Sequence, residues 1–151
     1  PLARRLAAAV PDRTIWLCAN DLGADELVGF ADNVVYTGPD GHESRVGPAQ
    51  LGTATGDLRQ LAAVTDGARL VEHFLDVVAA RAGTVATETV ALNAAALTMA
   101  AGRAAGRATT WPDAFAAALD AMRSGAVVEL VLDVRREETV RPALTRSHGN
   151  G

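Results

Sequence analysis

The chain has 151 residues, 49% of them apolar but only 4% aromatic, and a net charge of −4. That length suits one domain, or a piece of one, spanning residues 1–151 and able to bury a sizeable core. The negative balance argues against nucleic acid or an anionic membrane as partner. A lone cysteine, Cys18, excludes an intrachain disulfide framework and fits a reducing, cytoplasmic setting.

Leu2, Leu6 and Val10 recur every four residues and predict an amphipathic helix that Pro11 ends. Thr14 to Cys18 is a short apolar run between turn residues, which predicts a buried strand. A polar loop from Asn20 to Glu26 follows, at the strand end where open α/β sheets usually bind ligands. Asn33 to Val46 predicts a hairpin, with Gly38-Pro39-Asp40-Gly41 as its turn. Gly47 to Gly56 reads as loop.

From Asp66 the pattern turns helical. Leu70, Val71, Phe74, Leu75, Val77 and Val78 form one apolar stripe, and Gly83 is the expected stop. Residues 85–101 predict a helix apolar nearly all round, hence central, and too short and alanine-rich to span a bilayer. Thr110-Trp111-Pro112-Asp113 resembles a capping box, opening a helix whose Phe115, Leu119 and Met122 face the core until Gly125. Residues 126–134 suit a strand or a helix, and the arginine-rich end beyond Val134 reads as frayed or extended.

Few residues offer chemistry. Asp25 and Glu26 are adjacent carboxylates after a strand, a pair that can hold Mg²⁺ through oxygen ligands, with Asp21 close by. The ordinary reading of such a pair is a solvated loop or a helix start. Asn93, inside an apolar helix, must find hydrogen-bond partners, and a neighbouring backbone turn is a better candidate than a ligand. Cys18 reads as an inert thiol at a strand end, Trp16 and Trp111 as packing, and His42 and His73 as solvated side chains.

The segment Cys18-Ala19-Asn20-Asp21-Leu22-Gly23-Ala24-Asp25-Glu26-Leu27 resembles the His-Gly-x-Asp-Gly-Leu-Asp-Glu-Leu segment of the anthranilate phosphoribosyltransferase family. The likeness continues through the hairpin, Pro48-Ala49-Gln50-Leu51-Gly52, the Leu-Asn-Ala-Ala helix at 92–95, and Ser124-Gly125-Ala126. It implies the C-terminal part of an α/β phosphoribosyltransferase domain, with helices covering a sheet whose other strands lie upstream. Residues 126–136 would then be a final helix. The chain begins at Pro1 without methionine, as expected of a fragment that is inactive alone.

The resemblance implies an enzyme of tryptophan biosynthesis. Anthranilate's amine would displace pyrophosphate from phosphoribosyl pyrophosphate (PRPP), with Asp25 and Glu26 holding Mg²⁺. A homodimer would form through a region not in this chain. The loop departs from the family's by one extra residue and by Ala19 in place of glycine. A homologue using another aromatic amine, a nucleoside phosphorylase of related fold, and a non-catalytic module that only binds ligand remain alternatives. Gly52-Thr53-Ala54-Thr55-Gly56-Asp57 echoes the family's Gly-Thr-Gly-Gly-Asp pyrophosphate loop, and Ser147-His148-Gly149-Asn150 echoes its Lys-His-Gly-Asn-Arg motif. Both lie at the wrong places in the order of motifs and read as coincidence.

Overall fold

In the computed structural model, residues 2–10, 12–37, 42–62, 64–102 and 110–146 are described, with residues 3, 4, 7 and 137–146 described by their backbone alone. The elements run α1 (Leu2–Ala9), β1 (Trp16–Asn20), β2 (Asn33–Thr37), β3 (His42–Val46), α2 (Pro48–Leu51), a 3₁₀ turn (Leu58–Leu61), α3 (Gly67–Val78), α4 (Thr84–Ala100), α5 (Trp111–Arg123) and α6 (Ala126–Arg146). The predicted turn at 38–41 and the motif at 147–150 lie outside the described residues.

The sheet is antiparallel in the order β1-β2-β3. Cys18 sits opposite Val35, which sits opposite Ser44. Strand side chains alternate, so these three share a face with Trp16, Asn33 and Val46. That face meets α4 and α5. The core joins Leu27, Val35 and Val46 to Ala91, Leu92 and Ala95 of α4 and to Phe115, Leu119 and Met122 of α5. Alanines let α4 come close to its neighbours, while larger side chains such as Leu92, fully buried, each contribute about 2 kcal/mol of burial. The result is an α/β arrangement in which helices cover a sheet.

Local chemistry sets the element ends. Asp66 caps α3 by accepting from the Ala68 N–H, and Thr110 caps α5 by accepting from the Asp113 N–H. The Thr110 hydroxyl donates to the Asp113 carboxylate at 2.7 Å, whereas in a full capping box that carboxylate would accept from the Thr110 backbone N–H. Trp111, buried at the start of α5, donates its indole N–H to Ser44 Oγ at 3.0 Å and lies 6.1 Å from the Trp16 ring. Both tryptophans are therefore packing residues that fasten α5 to the sheet.

Several expectations hold and several need correction. The hairpin, the central α4 and the core face of α5 are where the pattern puts them. Residues 126–134 are helical, and the helix continues to Arg146 instead of ending in an extended arginine-rich tail. The strand begins two residues later than expected and is half-buried: among the described residues β1 pairs only with β2, and a cleft of about 220 Å³ opens between it and α4. Gly47 to Gly56 contains the single turn α2. Gly83 does not stop α3. The chain turns at Ala79-Ala80, where Ala80 adopts φ +55°, and Gly83 at φ +95° precedes the first residue of α4.

The α3 stripe is only partly used. Val78 is buried, but Leu70, Val71 and Phe74 are about half exposed or more (51%, 62% and 49%). Leu2 and Leu6 of α1, with Val10 beyond it, are likewise exposed. No helix among the described residues is long and apolar enough to cross a membrane.

Thr87 of α4 is buried, and its hydroxyl is the buried side-chain polar atom without a partner among the described residues. A methyl group of the same shape removes that desolvation penalty. Thr87→Val should raise the stability of this chain by about 1 kcal/mol. A urea midpoint that stays put or falls would show that the hydroxyl has a partner in solution.

Candidate functional site

Residues 21–32 connect β1 to β2 without regular structure, so their backbone groups need other partners. Side chains supply many of them. Asn20, at the end of β1, accepts from the Ala24 N–H at 3.1 Å and donates to the carbonyls of Glu26 at 2.9 Å and Ala24 at 3.4 Å. Gly23 takes φ +72° inside this ring, a conformation that glycine enters without steric cost.

Asn93 reaches across from α4. Its Oδ1 accepts from the Leu27 N–H at 3.1 Å, and its Nδ2 donates to the Leu27 carbonyl at 2.7 Å and the Thr89 carbonyl at 2.9 Å. The amide thus pairs with Leu27 as a strand neighbour would and uses its second proton on its own helix. This is the structural role expected for it, with the partner being a loop 66 residues away.

The rest of the loop is held the same way. Thr89 Oγ1 accepts from the Gly29 N–H at 3.1 Å, and a Cβ on Gly29 would lie 3.3 Å from that oxygen, so the approach favours glycine. Asn33, fully buried, accepts from the Val28 N–H at 2.9 Å and donates to the carbonyls of Val28, Ala31 and Val46. Cys18 points its thiol at the Asp25 carbonyl, 3.5 Å away.

Asp25 and Glu26 therefore sit on a pinned backbone, with the carbonyls of Asp25, Glu26 and Leu27 all engaged and both side chains exposed. Leu27 and Val28, immediately after them, are fully buried and anchor the segment. Asp21 does not join them: no group of three or more His, Cys, Asp or Glu side chains gathers as a metal site among the described residues.

The glycine-rich lookalike at 52–57 is packed against this loop but occupied otherwise. Thr53 donates its hydroxyl to the Gly29 carbonyl at 2.5 Å. The Ala54 N–H, which a phosphate would need, donates to the Glu88 carboxylate at 2.9 Å. Asp57 caps the 3₁₀ turn and pairs with Arg59. A carboxylate already seated on the loop amide repels an anion, so the turn is a structural connection, as its position in the sequence implied.

Partial burial is the largest cause of a raised Cys18 pKa; a backbone hydrogen bond opposes it, and the charges of Asp25 and Glu26 add to it. The neutral thiol is thus the form the fold favours. Stability from this group is present at neutral pH and declines as pH rises past the free-thiol range and through the raised value. Only the thiolate attacks an alkylating reagent. Iodoacetamide at pH 8 should modify Cys18 several-fold more slowly in the folded chain than in urea, and Asp25→Asn/Glu26→Gln should speed the folded reaction. Equal rates in folded and unfolded chains would contradict this.

The fold is similar to solved anthranilate phosphoribosyltransferases. It superposes on the enzyme from Thermus thermophilus with a TM-score of 0.65 and 21% identity, over 80% of this chain and 34% of that one. The Saccharomyces cerevisiae enzyme in complex with PRPP and Mg gives a TM-score of 0.68 and 15% identity, over 85% of this chain and 36% of that one. Its complex with 4-fluoroanthranilate gives 0.63 and 14%, over 82% and 35%. The chain spans about a third of the length of these solved structures. No protein-family model and no curated protein matches it. The described residues thus adopt a phosphoribosyltransferase-like fold of the kind seen in anthranilate phosphoribosyltransferases.

Proposed function

We propose that this chain is part of a cytoplasmic phosphoribosyltransferase that moves the phosphoribosyl group of PRPP onto the amine of anthranilate, as in tryptophan biosynthesis. The observation that carries the reading is the exposed Asp25–Glu26 pair on a backbone fixed from β1 and α4, within a fold shared with a transferase solved bound to PRPP and Mg.

The donor set suits the ion. Two carboxylates provide hard oxygen ligands, and with no third acidic, histidine or cysteine side chain gathered there among the described residues, water and pyrophosphate oxygens would complete the shell. Mg²⁺ commonly binds in this way, through one or two carboxylates plus substrate phosphates. When bound, it would neutralise charge on the departing pyrophosphate. Asp25 and Glu26 would hold and orient it, and the braced loop would keep them in place without rearrangement during the reaction. The phosphate-cradling loop and the amine contacts would come from residues outside this chain, so the 151 residues alone should carry no transfer activity.

A second reading has one observation in its favour. The loop's extra residue and Ala19, where the family has glycine, suit a homologue that takes a different aromatic amine. The metal chemistry would be the same.

The test is Asp25→Asn/Glu26→Gln in the complete protein. Turnover with PRPP and an aromatic amine should fall about a hundredfold or more, and the Mg²⁺ requirement should change with it. Turnover and metal dependence that survive the double substitution would overturn the proposal. A complete protein that releases no heat with Mg²⁺ and PRPP in calorimetry would overturn it equally.

A further inference from the structure

We propose that Asn93 and Asn20 act together as positioning residues for the Asp25–Glu26 pair, so that the metal-holding loop is set by the packing of α4 against the sheet. This rests on the reading of Asp25 and Glu26 as metal ligands and adds to it residues that touch neither metal nor substrate.

The two amides bracket the pair. Asn20 fixes the segment before and through it, at Ala24 and Glu26, and Asn93 fixes the residue that follows, at both the N–H and the carbonyl of Leu27. Neither amide bonds to a carboxylate, and both carboxylates remain exposed. An exposed acid on a free loop samples many positions, and gathering two of them around an ion costs conformational entropy of about 1–2 kcal/mol per residue ordered. Here hydrogen bonds to the backbone at residues 24, 26 and 27 supply part of that ordering before any ion arrives.

Asn93 is well placed for the task. It stands on α4 between Leu92, fully buried, and the core-facing Ala95 and Ala96, so its place is determined by the main core rather than by the loop itself. Its third bond, to the Thr89 carbonyl one turn earlier, fixes the orientation of the amide. Leu27 then adds a buried side chain to the same core. A shift of α4 would move the acidic pair with it.

The test compares Asn93→Ala and Asn20→Ala with Leu92→Val, which weakens the same helix packing at a side chain that cannot hydrogen-bond to the loop backbone. In the ¹⁵N-labelled complete protein with PRPP present, backbone order parameters at residues 24–27 should match rigid backbone, about 0.85, and drop below about 0.6 in both asparagine variants. Dilute Mn²⁺, standing in for Mg²⁺, should selectively broaden the amide signals of residues 25–27 in the unmodified chain. The concentration giving half-broadening should rise about tenfold or more in the asparagine variants, the cost usual for losing an outer-shell partner. Leu92→Val should lower the melting temperature yet keep both the order and the Mn²⁺ response.

If folded asparagine variants keep rigid loops and unchanged Mn²⁺ responses, the positioning role is refuted while the metal reading stands. If the unmodified complete protein, with PRPP present, shows no selective broadening, the metal reading falls and takes the proposal with it. Asn20 is only half-buried, at the very end of β1, so its variant decides the matter even if Asn93→Ala does not fold.

Discussion

A connection of twelve residues without helix or strand can be ordered only if something other than a ladder satisfies its peptide groups. Here the solution is the side-chain amide, whose carbonyl and NH₂ reproduce the two faces of a peptide bond. Asn93 against Leu27 is the central instance, because it ties the loop to the one helix that the rest of the core surrounds. Asn20 and Asn33 extend the device to the two strand ends. Removing Asn33 strands buried donors and acceptors, where the cost of an unmade bond exceeds the net value of a made one; the bonds of Asn93 and Asn20 are partly open to water.

That dependence gives the site its character. The carboxylates owe nothing to each other or to a nearby cation for their placement; among the described residues no salt bridge holds either of them. They are left exposed, while the carbonyls of residues 25–27 beneath them are engaged. The neighbouring 52–57 segment is the contrast: its backbone is equally fixed, but Glu88 has taken the Ala54 amide that would make it useful to a phosphate.

How much of this could be read from the residues depended on the range of the interaction involved. The hairpin was legible because Gly38-Pro39-Asp40-Gly41 is local turn chemistry, and α5 because Thr110 and Asp113 cap it within one turn. The loop's acids stood out in the same way. Asn93 announced only a need for partners; Leu27, far away in sequence, could be found only once α4 was in place. Gly83 signalled an unusual φ but not the side of the break on which a helix lies, so a helix start was read as a stop. The α3 stripe was correctly periodic, yet periodicity defines a face without saying what covers it, and Leu70, Val71 and Phe74 remain open. Glu88 carried no signal at all, since a glutamate on an apolar helix looks alike whether it meets water or an amide.

The chain has two tryptophans, and they meet each other, at 6.1 Å and tilted by 58°. Its indole fluorescence and near-ultraviolet dichroism therefore come from a single spot, the seam between β1 and the start of α5. Both signals will follow the separation of those two elements and stay silent about fraying of α1 or movement of α3. A denaturation curve recorded by indole emission is for this molecule a local gauge of that seam, to be set beside a far-ultraviolet trace before any transition is treated as all-or-none.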